Sequence, residues 1–545
     1  MPARSANAHR YLLVLVAAFA IFLRLPIFHH ASLSLDEAFT LWFTNIPWPD
    51  FRSEVAKYDL HPPLYYSIAK LFRVFGDSEW ALRLPSLAFS IATIPFFYWA
   101  GRIVGGKQRG QTLGLLVTAI FCVSATQINA AQVARTYTLY VFAGSIAFCG
   151  LAWVLSHGEQ YRGRLPTLLR SVKPFGVALG AAFGLALLPW AHNLGLIFAG
   201  AFGLSALIIT LVEERTINGR VAVIILIGLF AFALWSPNLP SLIAQRSQQS
   251  QGTWIKPVSV RELSKILLTT FGILPSTQGP LMAVGILGSL VIAAAAALGA
   301  VRMWQTDRTM AAFCISTVVG PLAAIIVYSM LIQPVLLARI LMPSILPWTM
   351  LAAYAVVASP RPDHSLALSI ALTVVFAFNA AVFLTSVDRG EPWERIITEI
   401  SSKSGERILV MTVPNSSALP LGYYNRKLNG RLIIVPVPAP FPATSDAYRY
   451  PSGGVGVPAI DKDMIENMGL TLKQNSNADV WIVLRGYWIY DKKNRIRQLL
   501  DRDYCYAPLD TGIWYLFVFK LVKKSEAQTK GCGIDWFAGH SAEND

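Results

Sequence analysis

Charge is scarce in this sequence. Asp, Glu, Lys and Arg together make up only 14% of 545 residues, too little for an ordinary soluble protein with polar surface on every side. Cysteine is scarce as well. The five present form no CxxC pair and no His/Cys cluster, so nothing points to a structural zinc site. No glycine fingerprint of a dinucleotide or P-loop site follows any strand-like run, which removes support for nucleotide hydrolysis. An internal repeat is not evident, and no endoplasmic reticulum retention signal ends the chain. What the chain has instead is apolar length, with 54% hydrophobic residues and a mean hydropathy of +0.48.

The apolar residues fall in blocks of about 17 to 25, the length a helix needs to cross the hydrocarbon core. They predict a mainly α, polytopic membrane helix bundle of about eleven spans. The spans are read at 11-28, 82-100, 111-129, 136-156, 174-190, 194-212, 221-237, 279-301, 310-331, 337-357 and 365-385. The first follows a short basic tail without a small-residue cleavage site and reads as retained, not as a removed signal peptide.

A net charge of +15 raises the question of a nucleic-acid partner, and the placement of the cations answers it. With the N-terminus inside, Arg102, Lys107 and Arg109, Arg162, Arg164, Arg170 and Lys173, Arg215 and Arg220, and Arg302 and Arg308 all fall in short internal segments. The positive-inside rule accounts for them, and no nucleic acid is expected. The C-terminus then lies outside, together with the long segments 29-81 and 238-278. Both carry amphipathic, aromatic stretches (39-48, 62-75 and 261-272) suited to interfacial helices that frame a lateral entrance for a lipid.

Residues 1-385 therefore read as the transmembrane catalytic domain and 386-545 as a small extracytoplasmic α/β domain. In the latter, strand-like runs at 407-413, 431-437, 479-485 and 513-520 alternate with helical patterns at 392-400 and 492-500, which predicts a largely parallel sheet. The Pro/Gly-rich stretch 434-458 reads as a long surface loop. Cys122, Cys149 and Cys314 fall in spans as small packing residues. Cys505 and Cys532 share the exported tail, where an oxidising compartment would permit a disulfide.

The sharpest chemical signal is LSLDEAFT (33-40), an acidic pair just after the first span. Ser34 followed by Glu37 makes a capping box, which explains Glu37 well and Asp36 only partly. Asp36 is thus the leading catalytic candidate, with Glu37 beside it. In YDLHPPLYY (58-66), two prolines fix Asp59 and His61 ahead of a helix, the alternative being a structural turn capped by Asp59. Arg83, Gln132, Arg135, His192 and Arg339 stand at external ends of spans. Snorkelling is the ordinary explanation for arginine there. Arg135 and Arg339, however, run against the topological rule, and an anionic substrate would account for them, since guanidinium pairs with phosphate oxygens.

With LDEAFT, DLHPPLYY and LRLPSL (82-87) in place, the chain resembles the GT-C glycosyltransferases, in particular the group of protein O-mannosyltransferases and bacterial lipid A aminoarabinose transferases. The resemblance covers about residues 10 to 360 and is strongest in 20-140. It implies a sugar donor on dolichyl or undecaprenyl phosphate, a site on the lumenal or periplasmic face, and inversion at the anomeric carbon. Asp36 falls on the first-loop acid of the family, and Arg135 lies where members often keep a cation for the lipid phosphate. No carboxylate falls in 129-136 as a second acid would, which leaves a bound divalent cation open.

The expected activity is inverting transfer of a sugar from a polyprenyl-phosphate donor to an envelope glycan or lipid acceptor. Asp36 would be the base, and Arg135, Arg339, His61 and Arg83 would attend the phosphate, with Asp59, Gln132 and His192 orienting substrate. The alternatives are a transporter or flippase of lipid-linked glycans and a protein O-mannosyltransferase. The expected location is a bacterial inner membrane, with the active site facing the periplasm and membrane lipids around it.

Overall fold

The computed structural model describes residues 2–25, 31–161, 172–249, 253–271, 280–359, 361–385, 390–445, 447–451 and 455–526. The chain divides into two compact units. One is made of Met1–His29, His61–Leu242 and Ile255–Ser386, the other of His30–Leu60, Ile243–Trp254 and Val387–Asp545.

The first unit is helical. Among the described residues, nine helices are long and apolar enough to cross a membrane, and a tenth span is obtained if Gly106–Cys122 and Ala125–Ala131 count as one, bent by 61°. The first helix runs Pro2–Arg24, with a shorter apolar part, Tyr11–Arg24. The bundle expected from hydropathy is present, but the third span is broken near Val123 instead of running straight from 111 to 129.

No proline or glycine stands at that break, and the cause lies elsewhere in the sequence. Inside a bilayer, a carbonyl released from its helix has to find a donor within the protein. Arg24, only 1% exposed, supplies three. Its Nη1 donates to the Cys122 carbonyl at 2.8 Å and its Nη2 to the Phe121 carbonyl at 3.0 Å, while Nε donates to Ser90 Oγ at 2.8 Å. The guanidinium thereby caps the end of Gly106–Cys122, and the chain is free to turn.

Helix Tyr137–Ser156 is buried on nearly all sides. Small residues bring its backbone against Val172–Ala191. A Cβ on Gly184 would stand 2.4 Å from Ala147 N, and one on Gly150 would stand 2.5 Å from Ala181 Cβ. Such close approach between helices is what glycine permits where lipid offers no hydrophobic drive. By contrast, helix Gly195–Glu214 leaves Leu204, Ile208 and Val212 exposed, as a lipid-facing surface requires.

The second unit contains a five-stranded sheet. Its strands are β1 (Ile408–Val413), β2 (Leu432–Pro436), β3 (Asp479–Arg485), β4 (Tyr504–Leu509) and β5 (Leu516–Lys523), in the order β2-β1-β3-β5-β4. β1 pairs parallel with β2 and β3, whereas β5 runs antiparallel to both β3 and β4. The sheet is thus mixed and not largely parallel. Its second half is a hairpin, because only the short turn between Leu509 and Leu516 separates β4 from β5, with no crossover helix to reverse direction. β4 escaped the sequence reading because Pro508 interrupts it.

Leu409, Met411, Ile482, Leu484, Phe519 and Leu521 from the sheet pack with Met464 and Met468 of helix Lys462–Gln474 and Ile496 and Leu500 of helix Arg495–Asp503. Cys505 is disulfide-bonded, and Cys532 lies outside the described residues. Cys122, Cys149 and Cys314 are free and buried.

Replacing Arg24 by Leu should remove the side-chain donor of the Cys122 carbonyl and one of the two donors of the Phe121 carbonyl, at a cost of about 1–3 kcal/mol. The effect is read as a lower melting temperature of the purified protein in detergent, with Arg24→Lys losing less. Equal melting of wild type and Arg24→Leu would show that the bend is held by other contacts.

Candidate active site

In the second unit, Asp36 stands in the first turn of helix Leu35–Asn45, half-buried. Both halves of the capping box behind it are formed. Ser34 Oγ accepts from the Glu37 N–H at 3.3 Å, and Glu37 Oε2 accepts from the Ser34 N–H at 2.9 Å. Glu37 is only 2% exposed and turns its carboxylate back onto the cap.

The same turn is anchored by a carboxylate that sequence reasoning missed. Glu391, 2% exposed, accepts from the Leu35 N–H at 3.2 Å and from Trp393 Nε1 at 3.0 Å, and it pairs with Arg485 Nε at 2.5 Å. Burial lowers the Arg485 guanidinium, but the Glu391 charge and hydrogen bond, together with the Tyr515 and Tyr490 phenols, outweigh it and leave the pKa raised. Arg485 lies over the Tyr515 ring, 5.4 Å from its centroid. Burial, with Glu391 next and Asp36 contributing, pushes the Tyr515 phenol up to about 12. Tyr515 is therefore a hydrogen-bond donor at neutral pH. No local pattern marks Glu391 or Arg485, because their partners lie hundreds of residues or a whole sheet away.

Helix Leu35–Asn45 is also held by aromatic packing. Phe441, from the Pro/Gly-rich loop, sits 5.0 Å from both Phe39 and Trp42 and 6.1 Å from Tyr58, ring centre to ring centre. Asp59 ends helix Trp48–Tyr58 as its C-cap, and its carbonyl accepts from Gln245 Nε2 at 3.0 Å.

The first unit gathers the basic candidates. Pro63 caps helix Leu64–Phe72, so the double proline opens a helix as expected, with His61 just ahead of it. Arg135 is 5% exposed. It donates from Nη1 to Tyr66 Oη at 2.9 Å and from Nη2 to His61 Nδ1 at 3.1 Å. A guanidinium has only donors, so His61 Nδ1 must accept, and the ring proton is carried on Nε2.

His192 reaches the same state by another route. Its Nδ1 accepts from the Leu194 N–H at 3.1 Å, which again leaves Nε2 as the donor. The two imidazoles meet edge to face at 5.0 Å, and Tyr140 stacks on His192 at 5.4 Å. Thr136 Oγ1 donates to the Ala191 carbonyl at 2.8 Å, joining the turn that carries Arg135 to the one that carries His192. The cluster thus combines one buried guanidinium with two imidazole N–H donors, a constellation suited to an anion.

Arg339 adjoins through its neighbour, lying 5.8 Å over the Tyr137 ring from the short helix Ala338–Ser344. Arg83 is half-buried near the start of helix Glu79–Val104. Gln132 ends helix Ala125–Ala131, its amide 3.5 Å from the Leu23 carbonyl. Among the described residues no three His, Cys, Asp or Glu side chains gather as metal ligands.

An apolar groove runs between helices Gly195–Glu214 and Arg308–Leu331. Its volume is about 670 Å³, and Leu196, Ile197, Gly200, Leu204, Ile315 and Val319 are among its lining.

Glu391→Ala would take the acceptor from Leu35 N–H and strand the Arg485 charge. With Arg485 partly exposed, the expected loss is about 2 kcal/mol of stability. In a double-mutant cycle with Arg485→Ala, the coupling should approach that figure. Additive melting shifts would contradict the pairing.

No protein-family model matches the sequence, and no curated protein matches it. Solved structures do. ArnT from Cupriavidus metallidurans in the apo state superposes with a TM-score of 0.53 at 13% identity, covering 95% of this chain and 98% of that one. The same protein bound to undecaprenyl phosphate gives 0.52 at 14% identity, covering 96% and 100%. The archaeal oligosaccharyltransferase AglB from Archaeoglobus fulgidus, in complex with an inhibitory peptide and a dolichol-phosphate, gives 0.52 at 11%, covering 96% of this chain and 75% of that one. The chain therefore has the GT-C fold of the membrane glycosyltransferases.

Proposed function

We propose that this protein is a glycosyltransferase that moves a sugar from a polyprenyl-phosphate carrier to an acceptor hydroxyl, with inversion. The observation that carries the reading is the cluster of Arg135, His61 and His192, whose hydrogen-bond partners leave both imidazoles presenting Nε2–H beside a buried guanidinium. A phosphate is the natural ligand of such a set. The apolar groove between helices Gly195–Glu214 and Arg308–Leu331 suits an isoprenoid tail. The same ligand class occurs in the neighbours, ArnT being bound to undecaprenyl phosphate and AglB to a dolichol-phosphate.

In this reading Asp36 takes the proton of the acceptor hydroxyl as its oxygen attacks the anomeric carbon. The bond from that carbon to the carrier phosphate breaks on the opposite face, and the electron pair leaves with the phosphate. Arg135 and the two imidazoles stabilise the charge that develops there. Arg339 and Arg83 add positive potential, and Glu37 fixes the turn that presents Asp36. Asp59 and Gln132 position substrate. The acceptor is an envelope glycan or lipid, and the membrane a bacterial inner membrane with the site on its periplasmic face.

The purified protein should transfer sugar from at least one member of a panel of undecaprenyl-phosphate-linked hexose, pentose and uronic acid to an envelope glycan extract. Asp36→Asn should lower the rate about 10²–10⁴-fold with an unchanged melting temperature. Arg135→Lys should raise the KM for donor, because a point charge does not replace the paired donors of guanidinium. Near-normal transfer by Asp36→Asn would refute the mechanism.

A further inference from the structure

The carboxyl ends of β1, β2 and β3 lie on one edge of the sheet, since these strands run parallel. That edge is where open α/β sheets bind ligands. β3 ends at Arg485, which pairs with Leu516 at the start of β5, so the segments that follow β3 and precede β5 rise side by side. Each carries a tryptophan. Trp488 stands in the short helix Tyr487–Tyr490, entered through Gly486 in the left-handed conformation, and Trp514 stands in the turn before β5. Their rings stack 5.6 Å apart at 20°.

Trp514 is nevertheless 57% exposed. One face rests on Trp488, its neighbour Tyr515 meets it edge-on at 5.4 Å, and the remainder is open. The stacked indole pair thus presents an aromatic face at this edge of the sheet. Its surroundings are polar. Arg485 lies 5.4 Å over the Tyr515 ring and pairs with Glu391, which in turn accepts from the Leu35 N–H next to Asp36. An aromatic face bordered by hydroxyl, guanidinium and carboxylate groups matches one chemical class. The C–H face of a pyranose ring is electropositive and packs on the negative face of an indole, while the ring hydroxyls at its edge need donors and acceptors.

We infer that Trp514, supported by Trp488, is a saccharide-binding platform that seats a sugar ring of the acceptor next to Asp36. This rests on the proposed transfer reaction for its purpose but not for its test. Binding a sugar ring requires neither donor nor turnover. The competing occupant of an exposed indole is the membrane interface, and the same variants distinguish the two.

Saturation-transfer NMR on the full-length protein in nanodiscs, with maltotriose, chitotriose and a core oligosaccharide released from lipopolysaccharide as probes, tests the platform. Wild type should saturate the C–H protons of one ring face in at least one probe. Trp514→Ala should abolish the signal, and Trp514→Tyr should retain most of it. In transfer assays Trp514→Ala should raise the acceptor KM at least tenfold while leaving the donor KM unchanged. Asp36→Asn should keep the NMR signal, so a failed mechanism and a failed platform give different results. No saturation with any probe, or a signal unaffected by Trp514→Ala, overturns the proposal. It is equally overturned if Trp514 fluorescence shifts to the blue with anionic vesicles and no saccharide changes it.

Discussion

Every polar backbone group inside a bilayer has to be satisfied by the protein itself, and this constraint shapes the helical unit more than any side-chain preference does. Where a helix stays whole the condition is met automatically. Where it breaks, a donor must be brought in, and Arg24 is brought in to the Phe121 and Cys122 carbonyls. Arg220 does similar service for the Leu155 carbonyl while pairing with Glu213 and Glu214. These arginines are consumed by structure. Arg135 is buried too, and donates to a phenol and an imidazole.

Arg135 sets the tautomer of its imidazole neighbour, because a guanidinium can only donate, so His61 becomes a second donor. The GT-C fold supplies this cluster from three separate stretches of chain, around residues 61, 135 and 192.

Much of this was legible in the sequence. Apolar block length pointed to the helix bundle, since lipid imposes a minimum helix length that shows as a run of residues, although nine helices among the described residues, or ten with the bent pair, meet that length against the eleven expected. Ser34 and Glu37 announced a cap three residues apart, and the structure contains both of its hydrogen bonds. The double proline at 62-63 opens a helix as its fixed φ requires. What could not be read were pairings set by tertiary contact. Nothing near Val123 signals a bend, because its cause is an arginine about a hundred residues earlier. Glu391 looks like an ordinary acid before a helix until Arg485 and the Leu35 N–H are brought to it. The antiparallel half of the sheet depends on a hairpin whose second strand was visible and whose first was masked by Pro508.

The central claim is that the basic cluster around Arg135 receives the phosphate of a lipid carrier whose tail follows the groove between helices Gly195–Glu214 and Arg308–Leu331. A polyprenyl phosphate bearing a photoreactive group on its first isoprene units tests this directly. After irradiation and proteolysis, mass spectrometry should find label in 192–208 and 312–324, suppressed by excess unlabelled polyprenyl phosphate. Label confined to other helices, or insensitive to that competition, would contradict the account.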